Sequence, residues 1–102
     1  MQVNKIDNSQ TFQSTYRQKI IKASLKDDSE ALVRISFDKV SNQIKSLEGY
    51  QFKKGEYIGG KGIGKPSGLK NDEILNFFGD LQENAKEGIN FFKELAIAML
   101  KR

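Results

Sequence analysis

The sequence predicts a small, mainly α-helical single domain with a central amphipathic helix and a long C-terminal helix. Two segments carry apolar residues at alternating spacings of three and four, which places them on one face of a helix. A chain of 102 residues has room for one hydrophobic core, so residues 1–102 are treated as one domain. The polar residues 1–10 are predicted to be flexible.

The central helix is predicted over residues 28–48. Side-chain oxygens of Asp27 and Ser29 suit the first free amides of a helix, and Gly49 suits a left-handed C-terminal residue. The apolar face consists of Val33, Phe37, Val40, Ile44 and Leu47.

The C-terminal helix is predicted over residues 71–101, with Asn71 as its N-cap. Its apolar positions are Ile74, Phe78, Leu81, Ala85, Gly88, Phe92, Leu95 and Met99. Gly79 and Gly88 each cost about 1 kcal/mol relative to alanine inside a helix. A kink or break around residues 82–88 is therefore allowed.

Residues 12–25 fit two structures. Helical spacing of Phe12, Tyr16, Ile20 and Ala23 slightly favours a helix, whereas Thr11, Thr15 and the pair of isoleucines also suit a strand. The alternative is an α+β fold with one or two short strands, at about 12–25 and 50–58, paired with each other.

Residues 55–70 are predicted to form a Gly/Lys-rich loop, because they hold six glycines and the only proline. Residues 59–65 match the G-x-x-x-x-G-K part of a nucleotide-binding P-loop, but Pro66 stands where the magnesium-binding Ser or Thr belongs, which excludes that function. The string Gly62-Ile63-Gly64-Lys65 resembles the G-h-G turn of helix-hairpin-helix DNA-binding modules. That resemblance implies a turn whose backbone amides contact a DNA phosphate.

Composition excludes several kinds of chemistry. The chain has no cysteine and no histidine, so disulfides, thiolate catalysis, zinc ribbons and serine–histidine triads are impossible. The acidic residues form no distinctive pair, and we expect a non-enzymatic protein with no cofactor and no metal. Neither a secretory signal nor an apolar run long enough to span a membrane is present, which predicts a cytoplasmic protein.

The first functional hypothesis is a small interaction or regulatory protein that presents an apolar helix face. The predicted C-terminal helix carries more large apolar residues than the central helix can cover, and the motif of residues 75–81 recurs at 89–95. A second copy of the chain, forming a homo-oligomer, or another protein would cover the excess. The residues assigned to partner binding are Phe77, Phe78, Leu81, Phe91, Phe92 and Leu95.

The alternative hypothesis is a nucleic-acid backbone binder without sequence specificity. Residues 15–26 and 51–70 are strongly basic, and they would attract phosphates if folding brings them together. Tyr50, Phe52 and Tyr57 could stack on the bases of a single strand. The residues assigned to phosphate contact are Lys53, Lys54, Lys61, Gly62, Gly64, Lys65 and Lys70.

Overall fold

The protein is mainly antiparallel β, not mainly α. The computed structural model describes residues 16–100, which form a four-stranded sheet followed by two helices. The elements are β1 (Tyr16–Ser24), β2 (Glu30–Asp38), β3 (Ile44–Lys53), β4 (Glu56–Gly64), α1 (Asn71–Glu83) and α2 (Phe91–Leu100). Each strand pairs with the next, in the order β1-β2-β3-β4. Residues 1–10, predicted to be flexible, lie outside the described residues.

The predicted central helix at 28–48 is wrong, because this segment forms β2, a turn and the first half of β3. In β2 the buried apolar residues are Ala31, Val33, Ile35 and Phe37, which alternate at the strand period of two. The helical spacing selected only Val33 and Phe37 from this set. Val40, placed on the predicted helix face, lies in the turn and is 89% exposed.

The turns use the residues that had suggested helix ends. Asp27 accepts hydrogen bonds from the backbone amide and the hydroxyl of Ser29, so it stabilises the β1–β2 turn and lies outside any helix. Its pKa is lowered chiefly by those two bonds. The turn residues Asp28 and Asn42 adopt positive φ, a conformation that Asp and Asn tolerate better than most residues.

The alternative strand at 12–25 is confirmed over the described residues, where β1 spans Tyr16–Ser24, and residues 12–15 lie outside the described part of the chain. Its neighbour is β2, however, and not the segment 50–58. The predicted loop at 55–70 is also wrong over most of its length. Lys54 and Gly55, both at positive φ, form a two-residue hairpin, and the next nine residues are strand β4.

The predicted C-terminal helix is divided in two. It begins at Asn71 as predicted, but it stops at Glu83, and Gly88 adopts positive φ in the connection. The Asn90 side chain accepts hydrogen bonds from the amides of Phe92 and Lys93 and so starts α2. The break falls in the region where the sequence allows one. Lys70 occupies the N-cap position that the sequence assigned to Asn71.

Both helices cover one face of the sheet, called the inner face here. The core lies between them, and Val33, Ile35, Phe37, Phe78 and Phe91 are completely buried in it. The connection between the helices is joined to the end of β1 by backbone hydrogen bonds from Lys26 to Asn84 and from Lys86 to Ser24.

One close contact between the layers is made at a glycine. Gly49 of β3 points to the inner face, and a Cβ atom there would lie 3.3 Å from the Phe77 ring. The Lys61 ammonium lies 5.2 Å from the centre of the same ring and is 3.0 Å from the Asp80 carboxylate. At this point α1 is held on the sheet by an aromatic ring and an ion pair, in addition to the buried Phe78 and the ion pair between Lys65 and Glu73.

We expect Gly60→Ala to destabilise the fold, because a Cβ at this position would lie 2.6 Å from the Gly49 carbonyl oxygen. Overpacking of this kind costs about 1–3 kcal/mol. Gly79→Ala is the matched control, since nothing lies within 4 Å of its Cβ position. This helical glycine should gain about 0.5–1 kcal/mol as alanine. Urea unfolding measures both changes, and equal stability of the two variants would contradict the close packing at Gly60.

Acid should weaken the start of α1. Glu73 accepts hydrogen bonds from the Lys65 ammonium and the Lys70 amide, and these lower its pKa below the ordinary value of 4.5. The contribution of Glu73 is complete above pH 4.5 and is lost as pH falls through the lower, folded-state pKa.

The variant Glu73→Gln should therefore be less stable than the wild type at pH 7. The stability difference should shrink as pH falls below 4.5. Urea unfolding between pH 7 and pH 3 tests this, and a difference that stays constant with pH would disprove the role given to the carboxylate.

Candidate nucleic-acid interface

The face of the sheet opposite the helices, called the outer face here, is open to solvent within residues 16–100. Side chains on it come from alternate positions of each strand, such as Ile20 on β1, Arg34 on β2 and Tyr50 on β3. Ile20 is 50% exposed and Tyr16 is 37% exposed. An antiparallel sheet with one packed and one solvated face usually alternates apolar and polar residues, but this solvated face retains large apolar and aromatic groups.

Three aromatic side chains form a cluster on the outer face, at the β3–β4 hairpin. They are Tyr50, Phe52 and Tyr57, called the aromatic cluster below. The ring centres of Tyr50 and Tyr57 are 6.3 Å apart, and those of Phe52 and Tyr57 are 5.8 Å apart. Tyr57 is 56% exposed, so its ring remains available to a ligand. The sequence analysis named these residues for stacking, and the hairpin brings them together.

Hydrogen bonds orient the tyrosine at one end of the aromatic cluster. The Tyr50 hydroxyl donates to Glu48 over 3.2 Å and accepts from Arg34 over 3.4 Å. Arg34 Nε also donates a hydrogen bond to Glu48 over 2.7 Å. This hydrogen bond and the negative charge of Glu48 raise the pKa of Arg34. This network fixes the position of Tyr50, which is partly buried.

The glycines of β4 make the outer face flat beside the aromatic cluster. Gly60, Gly62 and Gly64 pair with outer-face residues of β3 and present no side chain there. A Cβ on Gly60 would lie 3.1 Å from the Tyr57 hydroxyl and 3.4 Å from the Tyr50 ring. Gly62 and Gly64 therefore belong to a strand, and the helix-hairpin-helix turn implied by the resemblance is absent.

The lysines assigned to phosphate contact are divided between two environments. Lys53 and Lys54 lie at the exposed β3–β4 turn, next to the aromatic cluster. Lys61 and Lys65 extend toward the helices, where they pair with Asp80 and Glu73. Lys70 precedes α1 as its N-cap residue. The structure therefore separates the seven assigned residues.

The two basic segments do not meet in one patch. Residues 17–26 lie at the β1 edge of the sheet and residues 53–65 at the β4 edge, with two strands between them. The separation of charge lies instead between layers. Residues 16–70 contain twelve Lys and Arg against six Asp and Glu, whereas residues 71–100 contain two against six. The sheet layer is basic and the helical layer is acidic.

Most residues assigned to partner binding lie in the core of the chain itself. Phe77, Phe78, Phe91 and Leu95 are buried, and Leu81 is partly buried against the same cluster. Phe92 is 36% exposed. The sheet thus covers much of the apolar surface that the sequence analysis left for a second chain.

A cleft of about 480 Å³ lies between α1 and the sheet, and its charged lining residues are Lys26, Asp27, Lys61 and Asp80. Lys61 is paired with Asp80 there, and Lys26 donates to the Glu83 carbonyl. In the described part of the chain no cluster of acidic residues could hold a metal ion. Over the same residues, no helix is long and apolar enough to cross a membrane.

The sequence matches no protein-family model, no curated protein and no solved structure.

Proposed function

We propose that the protein binds single-stranded nucleic acid on the outer face of its sheet. The observation that carries this proposal is the aromatic cluster of Tyr50, Phe52 and Tyr57 on an open sheet face within a basic layer. Stacking of a base on an aromatic side chain stabilises a complex by about 1–3 kcal/mol per base. In a duplex the base faces are already stacked on each other, so this surface favours an unpaired strand.

Phosphate contacts come from the lysines next to the aromatic cluster. Lys54 occupies the hairpin turn, and Lys53 lies beside it at the end of β3, where its side chain starts from the inner face. Both are exposed at the end of the hairpin, and their long side chains can extend past it toward the backbone of a strand whose bases lie on the rings. Binding through base faces and phosphates discriminates weakly between sequences.

Two acidic groups of the outer face, Glu48 and Asp38, have partners within the protein, and only Glu48 is paired with a positive charge. Glu48 is paired with Arg34, and Asp38 accepts hydrogen bonds from the amides of Val40 and Ser41. Glu30 is exposed opposite Phe52, at the end of the sheet where the hairpin lysines Lys53 and Lys54 lie. The acidic helical layer lies on the other side of the sheet, away from a bound strand.

Truncating the aromatic cluster should weaken binding to a fluorescein-labelled single-stranded oligonucleotide. From the stacking free energy, Phe52→Ala and Tyr57→Ala should each raise the dissociation constant about 5- to 150-fold. Tyr57→Phe retains the ring and should bind nearly as well as the wild type. Fluorescence anisotropy at low salt provides the measurement.

The matched control is Phe92→Ala, which removes a partly exposed aromatic ring from the helical layer. It should leave binding unchanged. If the wild type fails to bind single strands at low salt, or if Phe92→Ala weakens binding as much as Tyr57→Ala does, the proposed site is wrong.

Removing the hairpin lysines should reduce the dependence of binding on salt. Lys53→Gln together with Lys54→Asn removes two charges, and asparagine tolerates the positive φ at position 54. Two lost phosphate contacts should make the slope of log K against log salt shallower by about 1.4. Lys86→Gln together with Lys93→Gln removes two charges from the helical layer and should leave the slope unchanged. Equal slopes for the two double variants would exclude phosphate contact at the hairpin.

A further inference from the structure

The outer edge of β4 is an unused hydrogen-bonding surface. Within residues 16–100, β4 pairs only with β3, and almost all of its residues are exposed. Natural edge strands of this length are usually blocked by charged side chains, proline, β-bulges or a covering segment. Strand β4 has no proline and one bulge, near Tyr57. In β4 the only charged residues are Glu56 and Lys61, and four of its nine residues are glycine.

We propose that two copies of the chain pair through their β4 edges, in an antiparallel register with Glu56 opposite Lys61 of the second copy. The twofold symmetry of this arrangement makes the same ion pair twice. It joins the two four-stranded sheets into one sheet of eight strands. This inference does not depend on nucleic-acid binding.

The register follows from the direction of the side chains. Residues directly opposite each other in an antiparallel pair point to the same face. Glu56 and Lys61 both point to the inner face, because their β3 neighbours Lys53 and Gly49 do. Tyr57 and Gly60 both point to the outer face. The proposed register therefore matches inner positions with inner ones and outer positions with outer ones.

The same register avoids steric and electrostatic conflict. Tyr57 meets Gly60 of the second copy and Ile58 meets Gly59, so each bulky residue faces a glycine. A register with Gly60 opposite Gly60 would place the outer-face Tyr57 against the inner-face Ile63, because the strand contains a bulge near Tyr57. A register centred on Lys61 would place two ammonium groups opposite each other.

The β1 edge does not offer the same fit. Residues 16–24 contain Arg17, Lys19 and Lys22 and no acidic residue, so two β1 edges would repel each other. Pairing of β1 with β4 of another copy would leave a free edge at each end and form open chains. Pairing of two β4 edges closes after two copies.

Sedimentation equilibrium over a range of concentrations tests the dimer. The wild type should reach twice 11.6 kDa. Glu56→Lys and Lys61→Glu each place like charges opposite each other twice, and each should raise the dimer dissociation constant about tenfold or more. An equimolar mixture of the two variants should restore a dimer, because every pair in the mixed dimer then carries opposite charges.

Asp80→Asn is the control for Lys61. It removes the ion pair between Lys61 and α1 within one chain and should leave the dimer intact. If Lys61→Glu impairs folding, Glu56→Lys still tests the ion pair between the two β4 edges. A wild type that stays monomeric at its highest soluble concentration, a dimer unaffected by either charge reversal, or growth into larger species would overturn the proposal.

Discussion

The arrangement of the molecule depends on the contact between the Phe77 ring and Gly49. Because residue 49 has no side chain, the ring of α1 lies directly against the middle of the sheet. Lys61 then reaches across the ring to Asp80, and the two layers are joined by packing and charge at one point. A larger residue at position 49 would displace α1 and expose the core residues beside it.

Two short helices cover only one side of the sheet. Each strand begins 12 to 14 residues after the one before it and pairs with it. Within residues 16–100 there is therefore no long crossover between strands that would carry a helix to the other side. The aromatic cluster is consequently left on a solvated surface. Its position is fixed by the Arg34–Glu48–Tyr50 network, so the surface is both exposed and ordered.

The sequence predicted the start of α1 and allowed a break before α2 within one predicted helix, because both features depend on local signals. The start follows Gly68 and precedes two acidic residues, and the interruption contains Gly88. The prediction of a helix over residues 28–48 is wrong because apolar residues of two different strands happen to fit helical spacing. These residues are Val33 and Phe37 of β2 and Ile44 and Leu47 of β3. When Ala31 and Ile35 are counted with Val33 and Phe37, the apolar residues of β2 occupy every second position, which is the pattern of a strand. Glycine is also rare in strands, so β4 was predicted as a loop.

Part of the candidate site could be predicted from the sequence. Tyr50, Phe52 and Tyr57 are close along the chain, and a hairpin between them is enough to bring them together. The ion pairs of Lys61 and Lys65 could not be predicted, because their partners lie in a helix whose position against the sheet is set by tertiary packing. The same lysines appear free for phosphate in the sequence and hold α1 in the structure.

The separation of charge between the layers gives the molecule an electric dipole across the plane of the sheet. The sheet side is its positive end and the helical side its negative end. In the field of a polyanion such a molecule turns as it approaches, with its helices pointing away. Encounters are thereby oriented before any contact forms, and this alignment fades as salt shortens the range of the field to about 10 Å at 0.1 M.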